Sequence, residues 1–454
     1  MKPTQALWAL LKRRHLPDEL ALVARGASHS FLLQGLGLGL GYVLHVALAR
    51  WMGASDYGIY TYVLAWVALL SIPAGLGLPM LVVRLVPEYS LAEAWGLLRG
   101  LLRWGWRSIV VLGFGLALAG MTLVVVFESK ATEAYTQALL LGLWLVPLQA
   151  CMRYTAGIYQ SVHQLGRAYA LPVLRHALVL VLAFLYVIVA QELTSVQGLG
   201  ITAGAVLVML LAQGPALRRA VPAPVWQTPA RYEVSGWLRV SVPLLLIGGF
   251  WVLLNETSVL LLGTLLGPQQ AGIYKAASKT ASLVGFVLAA VGAATLPVAA
   301  TLYARGERGR LQRILSLAAH AIFWPSLVTV LVLVLAAQPI LGLFGPGFAS
   351  GRWVLIILAG GQLVHAGAGA VAGLLSVTGH QNKGMTTLGW NLLLNVMLNV
   401  AGIVALGLVG AALATALSIT ITNVSLCVIA RREAKVDPSF VFALWGKPNN
   451  TPPP

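Results

Sequence analysis

Charged residues inside long apolar stretches are the features of this sequence best suited to chemistry. Glu256 lies in one such stretch, and Lys275 and Lys279 lie in the next, beyond a turn at residues 267–270. A charge in apolar surroundings is costly unless it is paired or hydrated. Because Glu256 and Lys279 are at similar distances from the turn, the spacing predicts an ion pair between them. This pair is either an ion-coupling site, with Glu256 binding a proton or a cation, or a fixed contact between two helices.

Other polar residues that interrupt apolar stretches are candidates for ligand binding. Arg175 lies well inside its stretch, whereas Arg50 lies at the end of one, where a long side chain can also reach an interface. His365 is in the middle of a stretch, where a hydrogen-bonded packing role is the alternative to a binding role. Asn391 and Asn395 belong to a run with four-residue spacing, which places its members on one helical face. That face either lines a polar cavity or forms hydrogen bonds between helices. The run comprises Thr387, Asn391, Asn395 and Asn399.

The sequence contains no pattern typical of a cofactor or metal site. It lacks the G-x-x-x-x-G-K-[ST] phosphate loop, and its His, Cys and carboxylate residues form no cluster with metal-ligand spacing. The two cysteines, Cys151 and Cys427, are too few for a disulfide framework. We therefore expect no catalytic residue, no metal and no cofactor, and we interpret the chain as a transport protein rather than an enzyme.

The composition identifies the surroundings of these residues as a membrane. Of 454 residues, 59% are hydrophobic and only 9% are charged, whereas a soluble domain has about 25% charged residues. About 20 apolar residues in a helix cross a bilayer core, and twelve segments of this kind predict an all-α integral membrane protein with 12 transmembrane helices. The segments are residues 31–49, 58–83, 108–127, 135–158, 169–190, 196–217, 240–265, 272–303, 314–338, 353–377, 386–404 and 407–430.

The basic residues predict how these helices are oriented. With alternating spans and an N-terminus in the cytoplasm, 25 of the 30 Lys and Arg residues fall on cytoplasmic flanks. Cytoplasmic flanks of membrane proteins are enriched in Lys and Arg, so both termini are predicted to be cytoplasmic. The net charge of +17 is thereby explained by orientation, and no nucleic-acid partner is expected. The five exceptions are Arg50, Lys130, Lys275, Lys279 and Arg352.

The two halves of the chain resemble each other, which indicates an internal duplication. Gly53-x4-Gly58 is followed by Ile-Tyr, and Gly267-x4-Gly272 is followed by the same pair 214 residues later. Because each half has six predicted spans, both halves enter the membrane in the same direction, and such parallel repeats typically place a substrate site between them. We predict an N-terminal six-helix bundle at 1–217, a cytoplasmic linker at 218–239, a C-terminal six-helix bundle at 240–432 and a cytoplasmic tail at 433–454.

Two motifs carry a resemblance to a known family. One is the turn at residues 52–60, Met-Gly-Ala-Ser-Asp-Tyr-Gly-Ile-Tyr, with its repeat at 266–274; the other is the Asn391-x3-Asn395-x3-Asn399 run followed by Gly-x2-Gly-Ala-Ala-Leu-Ala-Thr at 407–415. Over about residues 24–432, the chain resembles the bacterial polysaccharide and O-antigen flippases of the multidrug/oligosaccharidyl-lipid/polysaccharide exporter superfamily. The resemblance implies two parallel six-helix bundles in a V-shaped exporter fold, around a cationic cavity, in the bacterial inner membrane.

The resemblance also implies a function. Flippases of this kind turn undecaprenyl-diphosphate-linked oligosaccharides, the repeat units of a polysaccharide or O-antigen, from the cytoplasmic to the outer leaflet by alternating access and with ion coupling. Cations attract a diphosphate strongly away from bulk water, so depth and charge select the residues that would bind it, with Glu256 as the ion-coupling residue. The implied partners are the lipid-linked oligosaccharide, membrane lipids, and a polysaccharide polymerase and glycosyltransferases. The substrate-binding residues are Lys275, Lys279, Arg175, Arg50, Asn391, Asn395 and His365.

Three other interpretations remain open at this point. A drug/cation antiporter of the same superfamily would need acidic residues inside the N-terminal bundle, where the nearest ones lie in loops: Glu88, Glu93, Glu128 and Glu133. A membrane glycosyltransferase or polymerase acting on lipid-linked glycans would need a polar constellation, usually on a sizeable outer loop, but the predicted outer loops are short. A non-transporting scaffold of an envelope assembly is the third.

Overall fold

The chain folds into α-helices. A computed structural model describes residues 18–127 and 133–445, in which no β-strand occurs. Helices suit a bilayer because they satisfy every backbone hydrogen bond within one segment. Lys2, Lys12, Arg13, Arg14, Lys130 and Lys447, which contribute to the predicted orientation, lie outside the described residues, as do the ends of the predicted N-terminal bundle and tail. The helices are α1 (Asp18–Gly75), α2 (Leu78–Leu91), α3 (Trp95–Phe127), α4 (Glu133–Leu143), α5 (Leu145–Ser161), α6 (Leu165–Ala190), α7 (Ser195–Ala220), α8 (Ala223–Gln227), α9 (Val234–Leu265), α10 (Pro268–Ala281), α11 (Gly285–Ala304), α12 (Arg308–Leu335), α13 (Ala337–Gly342), α14 (Arg352–Ala368), α15 (Val371–Val377), α16 (Gln381–Ile429) and α17 (Phe440–Trp445).

Ten helical segments within the described residues are long and apolar enough to cross a membrane. The protein is therefore a multi-pass membrane protein, as the composition predicts. Eight of these segments each contain one predicted span. The other two, Leu32–Gly75 and Lys383–Ala434, are 44 and 52 residues long and take up two predicted spans each. A straight helix of 44 residues would measure about 66 Å, roughly twice the thickness of a bilayer core.

The first long segment, in α1, folds back on itself at Gly53. This residue has φ 73° and ψ 174°, a backbone conformation open mainly to glycine. The Nδ1 atom of His45 lies 3.0 Å from the hydroxyl of Tyr57, although 12 residues of straight helix would separate the two by about 18 Å. The helix therefore consists of two arms joined at Gly53.

The second long segment, in α16, folds back at Gly407, which has φ 60° and ψ −133°. Beyond this bend the two arms pack closely, because a Cβ atom on Gly410 would stand 1.8 Å from the carbonyl oxygen of Gly402. Ser418 also donates a hydrogen bond of 3.1 Å to Oδ1 of Asn391, 27 residues earlier. Two helical hairpins, one in each half of the chain, thus account for the difference between ten segments and twelve predicted spans.

The connection between the halves is shorter than the predicted linker at 218–239. Helix α7 continues to Ala220 and α9 begins at Val234, since both extend past the apolar stretches used for the prediction. The connection is fixed to the N-terminal helices: the backbone N–H of Arg231 donates to the carbonyl of Gly96 over 2.8 Å. At the start of α9, Trp237 is buried and its indole N–H donates to the hydroxyl of Tyr89 over 3.0 Å.

The duplicated glycine turns lie against each other where α1 packs on α10. A Cβ atom on Gly272 would stand 2.8 Å from the Cα of Gly58, and one on Gly58 would stand 2.1 Å from the carbonyl oxygen of Pro268. Real Cβ atoms do not approach other atoms this closely, so both positions require glycine. The first motif of each half therefore forms part of the contact between the halves.

Part of the predicted tail at 433–454 packs against the helices. After a π-helical turn at Ala430–Ala434, Asp437 accepts hydrogen bonds from the backbone of Ser439 and from the guanidinium of Arg431. The ring of Phe440 then stacks on Phe323 of α12, with centroids 3.8 Å apart. Residues 433–445 thus belong to the folded protein, because an aromatic residue follows the basic end of α16 and covers α12.

Candidate functional site

A cavity of about 180 Å³ lies between α1, α5, α6 and α7 on one side and α9 and α10 on the other. Of the described residues that line it, Arg175, Lys275 and Lys279 are cations and Glu256 is the one carboxylate. We call it the charged cavity. Residues from four separate apolar stretches of both halves of the chain are thus brought together at one place.

Glu256 forms an ion pair in this cavity, but with Lys275 rather than with Lys279. The Nζ atom of Lys275 donates to both carboxylate oxygens of Glu256, over 2.9 and 2.6 Å, and the two side chains are only 14% and 18% exposed. The prediction of a Glu256–Lys279 pair is therefore wrong. Equal distance from a turn fixes depth only within the reach of a lysine side chain, and Lys275 lies one helical turn away on the same face as Lys279. Within the described residues Lys279 forms no ion pair, so it adds its charge to the cavity.

Arg175 is held in the cavity wall by its neighbours. Its guanidinium donates to Oε1 of Gln149 over 3.3 Å and contacts Nε2 of His176 at 3.2 Å. Because Nδ1 of His176 lies 3.2 Å from the carbonyl oxygen of Gly37 and a carbonyl only accepts, Nδ1 carries the hydrogen and Nε2 accepts from Arg175. Room for the imidazole comes from Gly41, where a Cβ atom would stand 2.9 Å from the ring. The glycine-rich first arm of α1 thus makes space for the group that orients Arg175.

A second cavity, of about 480 Å³, lies between α9, α10, α14 and α16. Its lining includes His365, Asn391 and Asn395, and we call it the amide cavity. Nδ1 of His365 donates to Oδ1 of Asn423 over 2.9 Å, and Asn391 accepts from Ser418. The Oδ1 atom of Asn395 is buried and has no hydrogen-bond partner among the described residues, which leaves an acceptor available at the cavity wall.

One member of the amide run serves as a contact between helices instead. Asn399 is fully buried and its Oδ1 accepts from the hydroxyl of Ser258 over 2.8 Å. The Ser258 hydroxyl also lies 2.8 Å from that of Thr415, which in turn lies 2.8 Å from the hydroxyl of Tyr274. The two alternatives for this run thus divide along the helix, with Asn391 and Asn395 at the cavity and Asn399 in the hydrogen-bonded contact.

The same tyrosine–threonine hydrogen bond occurs at both cavities. The hydroxyl of Tyr60 lies 3.0 Å from Oγ1 of Thr202 at the charged cavity, and that of Tyr274 lies 2.8 Å from Oγ1 of Thr415 at the amide cavity. The tyrosines are 214 residues apart and the threonines 213, which is the spacing of the duplicated turns. The two cavities are therefore equivalent places in the two repeats.

This equivalence extends to the residues that give each cavity its chemistry. At an offset of 216 residues, which also relates Gly157 to Gly373, Arg175 corresponds to Asn391 and Gln149 corresponds to His365. An offset of 214 relates Leu44 to Ser258. The same positions thus carry a cation in one cavity and a neutral amide in the other.

Arg50 is the one predicted binding residue that reaches neither cavity. It is exposed three residues before the bend at Gly53, and it is absent from the lining of both cavities. Its position at the end of an apolar stretch agrees with a side chain at an interface. Conversely, His45, Gln149 and Thr202 line the charged cavity without having been predicted; each is a lone polar residue within an apolar stretch, and only the fold shows which of these face inward.

No group of three or more His, Cys, Asp or Glu side chains within the described part of the chain is arranged to hold a metal ion. The chemistry of the two cavities is therefore that of cations, amides and hydroxyls.

Comparison with known proteins gives two matches to family models and one curated relative. Residues 23–303 match the model of the polysaccharide biosynthesis protein family, and residues 243–401 match the MatE model. The probable low-salt glycan biosynthesis flippase Agl15 of Haloferax volcanii is 24% identical over 411 residues, which cover 88% of this chain and 82% of the relative.

Solved structures with the same fold are transporters of one superfamily. The inward-closed conformation of the lipid II flippase MurJ aligns with a TM-score of 0.71 at 13% identity, covering 90% of this chain and 87% of that one. An inward-facing multidrug resistance transporter of the MATE family and MOP superfamily aligns with a TM-score of 0.68 at 17% identity, covering 89% and 94%. The family match spans more than half of the chain and confirms the resemblance of the motifs. The chain therefore belongs to the polysaccharide biosynthesis protein family, among the polysaccharide flippases of the multidrug/oligosaccharidyl-lipid/polysaccharide exporter superfamily.

Proposed function

We propose that this protein flips an undecaprenyl-diphosphate-linked oligosaccharide, a repeat unit of a polysaccharide or O-antigen, from the cytoplasmic to the outer leaflet of a bacterial cell membrane. The charged cavity is the observation that carries the proposal. Three cations against one carboxylate, away from bulk water, form a site for an anion of more than one charge. A diphosphate linker has this chemistry.

Each cation has a distinct part in binding the diphosphate. Arg175 presents a guanidinium whose direction is set by His176 and Gln149, and a planar guanidinium can bind two phosphate oxygens at once. Lys279 is the cation without an ion pair among the described residues, so it is available to the ligand. Lys275 becomes available only when it leaves Glu256.

The amide cavity would bind the sugar. Sugar hydroxyls both donate and accept hydrogen bonds, and they match the amides of Asn391 and Asn395 and the imidazole of His365. The unpartnered Oδ1 of Asn395 is an acceptor for such a hydroxyl. The two cavities lie on either side of α9 and α10, so one molecule with a charged linker and a neutral head can occupy both.

Transport requires the halves to separate. The charged cavity, at about 180 Å³, is smaller than the roughly 300–1,000 Å³ of typical ligand sites. Parallel repeats that rock about a central axis would widen it toward one leaflet at a time. In the proposed topology each arm of the two hairpins crosses the bilayer, which gives twelve spans in two six-helix bundles, and both termini are cytoplasmic.

Ion coupling would act through the Glu256–Lys275 pair. A proton or a cation bound by Glu256 would release Lys275 toward the diphosphate, so the substrate and the coupling ion would each favour the other's binding. The enzymes that build and use the repeat unit, glycosyltransferases and a polymerase, would act before and after the flip.

Reconstitution tests this proposal. Proteoliposomes containing a fluorescent lipid-linked oligosaccharide are treated with a membrane-impermeant quencher, and the flipped fraction is followed in time. We expect flipping with the native chain and at least a tenfold slower rate with Arg175→Gln/Lys279→Gln. Arg50→Gln, outside both cavities, is the matched control and keeps the native rate. An equal rate in the double variant would contradict the proposal.

A drug/cation antiporter is the second candidate, favoured by the MatE match over residues 243–401. A cationic drug would have to occupy a cavity where cations outnumber carboxylates, so we expect no uptake of a fluorescent cationic dye into the same proteoliposomes. Uptake of the dye that depends on a proton or sodium gradient would favour the antiporter.

A further inference from the structure

A second basic region lies outside both cavities, on the face of the N-terminal helices next to the connection between the halves. Two adjoining clefts of about 400 and 680 Å³ share Val221 and Trp226 in their lining. The first runs beside α3 and the second beside the end of α7, with Ile158 of α5 between the two helices. We call them together the arginine groove.

Four arginines line this groove. Arg103 and Arg107 are four residues apart on α3 and so share one helical face, and Arg218 and Arg219 lie in the last turn of α7. All four are exposed. None of them forms an ion pair with a carboxylate among the described residues. The groove therefore holds four positive charges with no acidic partner from the described chain.

The groove is a built feature rather than a chance approach of a loop. The indole N–H of Trp226 donates to the carbonyl of Arg218 over 3.1 Å, and the guanidinium of Arg99 donates to the carbonyl of Thr228 over 2.7 Å. At Gly100 of α3, a Cβ atom would stand 1.8 Å from the carbonyl oxygen of Arg231. The connection is thus fixed on α3 at both of its ends, and it holds Trp226 beside the arginines.

The surface next to the arginines is apolar and exposed. On α3, Val111 is 69% exposed one turn beyond Arg107, and on α7, Leu211 is 69% exposed two turns before Arg218. Both lie in segments long and apolar enough to cross a membrane. Side chains that are apolar and exposed at such positions face acyl chains, and Trp residues are enriched at the level of the headgroups.

We propose that the arginine groove binds one anionic glycerophospholipid, with its phosphodiester among Arg103, Arg107, Arg218 and Arg219 and its acyl chains along the exposed faces of α3 and α7. The adjacency of an unpaired basic cluster and a lipid-facing apolar surface favours this occupant over a free anion. Basic pockets between transmembrane helices are a known mode of headgroup recognition. Because Trp226 belongs to the connection, the bound lipid would also fasten the connection to the N-terminal helices.

Native mass spectrometry of the purified full chain, titrated with phosphatidylglycerol or phosphatidylcholine, tests the site. We expect tighter retention of phosphatidylglycerol by the native chain, and retention about 30-fold weaker in Arg103→Gln/Arg107→Gln, at about one factor of five to six per basic residue. Arg218→Gln/Arg219→Gln should weaken it similarly. Arg310→Gln/Arg313→Gln is the matched control, since it removes two charges from the exposed face of another helix and should retain the lipid as the native chain does.

Several outcomes would overturn the assignment. Equal weakening in the control would show a diffuse charge effect, and equal retention of phosphatidylcholine would remove the headgroup from recognition. Displacement of phosphatidylglycerol by inorganic phosphate would make the groove a free-anion site, and displacement by a polyprenyl diphosphate at equal concentration would make it a substrate site. A second measurement does not depend on the arginine variants: acyl-brominated phosphatidylglycerol should quench the native fluorescence more than that of Trp226→Phe. Equal quenching would contradict the proposed pose.

Discussion

Gly272 lies so close to Gly58 that a Cβ atom on Gly272 would stand 2.8 Å from the Gly58 Cα. These glycines occupy the same place in the two repeats, and between them α10 and α1 meet without side chains. The contact adjoins the charged cavity, which the next turns of the same helices line with Tyr60 and Lys275. How tightly the halves approach at this point therefore governs how far the cavity can close.

Adding a methyl group at this contact should destabilise the closed arrangement. Gly58→Ala places a Cβ atom 2.1 Å from the Pro268 carbonyl oxygen, and overpacking of this kind costs about 1–3 kcal/mol. We expect a lower melting temperature and slower flipping in proteoliposomes. Gly39→Ala in the same helix is the control, because nothing lies within 4 Å of its Cβ position. Equal stability of the two variants would show that the halves are not held together here.

The Glu256–Lys275 pair predicts a strong coupling between two substitutions. Glu256→Gln leaves Lys275 buried without its counterion, and breaking a buried pair costs about 3–5 kcal/mol. Glu256→Gln/Lys275→Gln removes both charges and should recover most of the unfolding free energy. The measurement is denaturation in mixed detergent over all four members of the cycle.

Transport by the double variant then separates the two roles of this pair. If the pair only joins helices, flipping that is restored together with stability keeps its dependence on the ion gradient. If Glu256 couples transport to an ion, as we propose, the double variant folds but its flipping no longer responds to the gradient.

His176 should act on binding through Arg175 rather than on stability. In His176→Asn the amide can still donate to the Gly37 carbonyl, but it lacks the second acceptor that faces Arg175. We expect about a tenfold weaker binding of a polyprenyl diphosphate, as for the loss of a hydrogen bond to a charged group, with a nearly unchanged melting temperature. Arg175→Lys, which keeps the charge without the planar fork, should lose a similar factor. Unchanged affinity in His176→Asn would exclude a positioning role.

The amide run predicts opposite effects at neighbouring positions. Asn399→Leu breaks the hydrogen bond from Ser258, which in membranes is worth about 0.6–1.7 kcal/mol, and should lower stability. Asn395→Leu removes an acceptor that has no partner among the described residues, so it should leave stability nearly unchanged while slowing flipping. Thermal unfolding and proteoliposome rates of the two variants are the measurements. A stability loss in Asn395→Leu as large as in Asn399→Leu would assign both residues to helix contacts.

Much of the helical framework is predictable from the sequence, because apolar length alone marks a segment that crosses a bilayer. Every predicted segment lies on a helix, except that the one ending at residue 83 is interrupted at Leu76 and Gly77, both with positive φ. The motif at Gly58 and Gly272 also predicted the duplication that the two tyrosine–threonine hydrogen bonds display.

The direction of a side chain around its helix was the part that the sequence did not provide. Glu256 was paired with the wrong lysine, since depth along a helix says nothing about the angle between two packed helices. Arg50 and Arg175 are both single arginines near apolar stretches, yet only Arg175 meets a cavity. The Asn run was ambiguous because a face turned toward a cavity and one turned toward a helix have the same periodicity.

The glycine contact also carries information about history. In a symmetric dimer, a residue that touches its own counterpart lies on the twofold axis, and Gly58 touches its counterpart Gly272. An ancestor of half the length would therefore have met a second copy of itself at this glycine, with two identical pockets, one per subunit. Fusion freed each pocket to mutate alone, and the change that distinguishes Arg175 from Asn391 let one half specialise for an anion while the other stayed neutral.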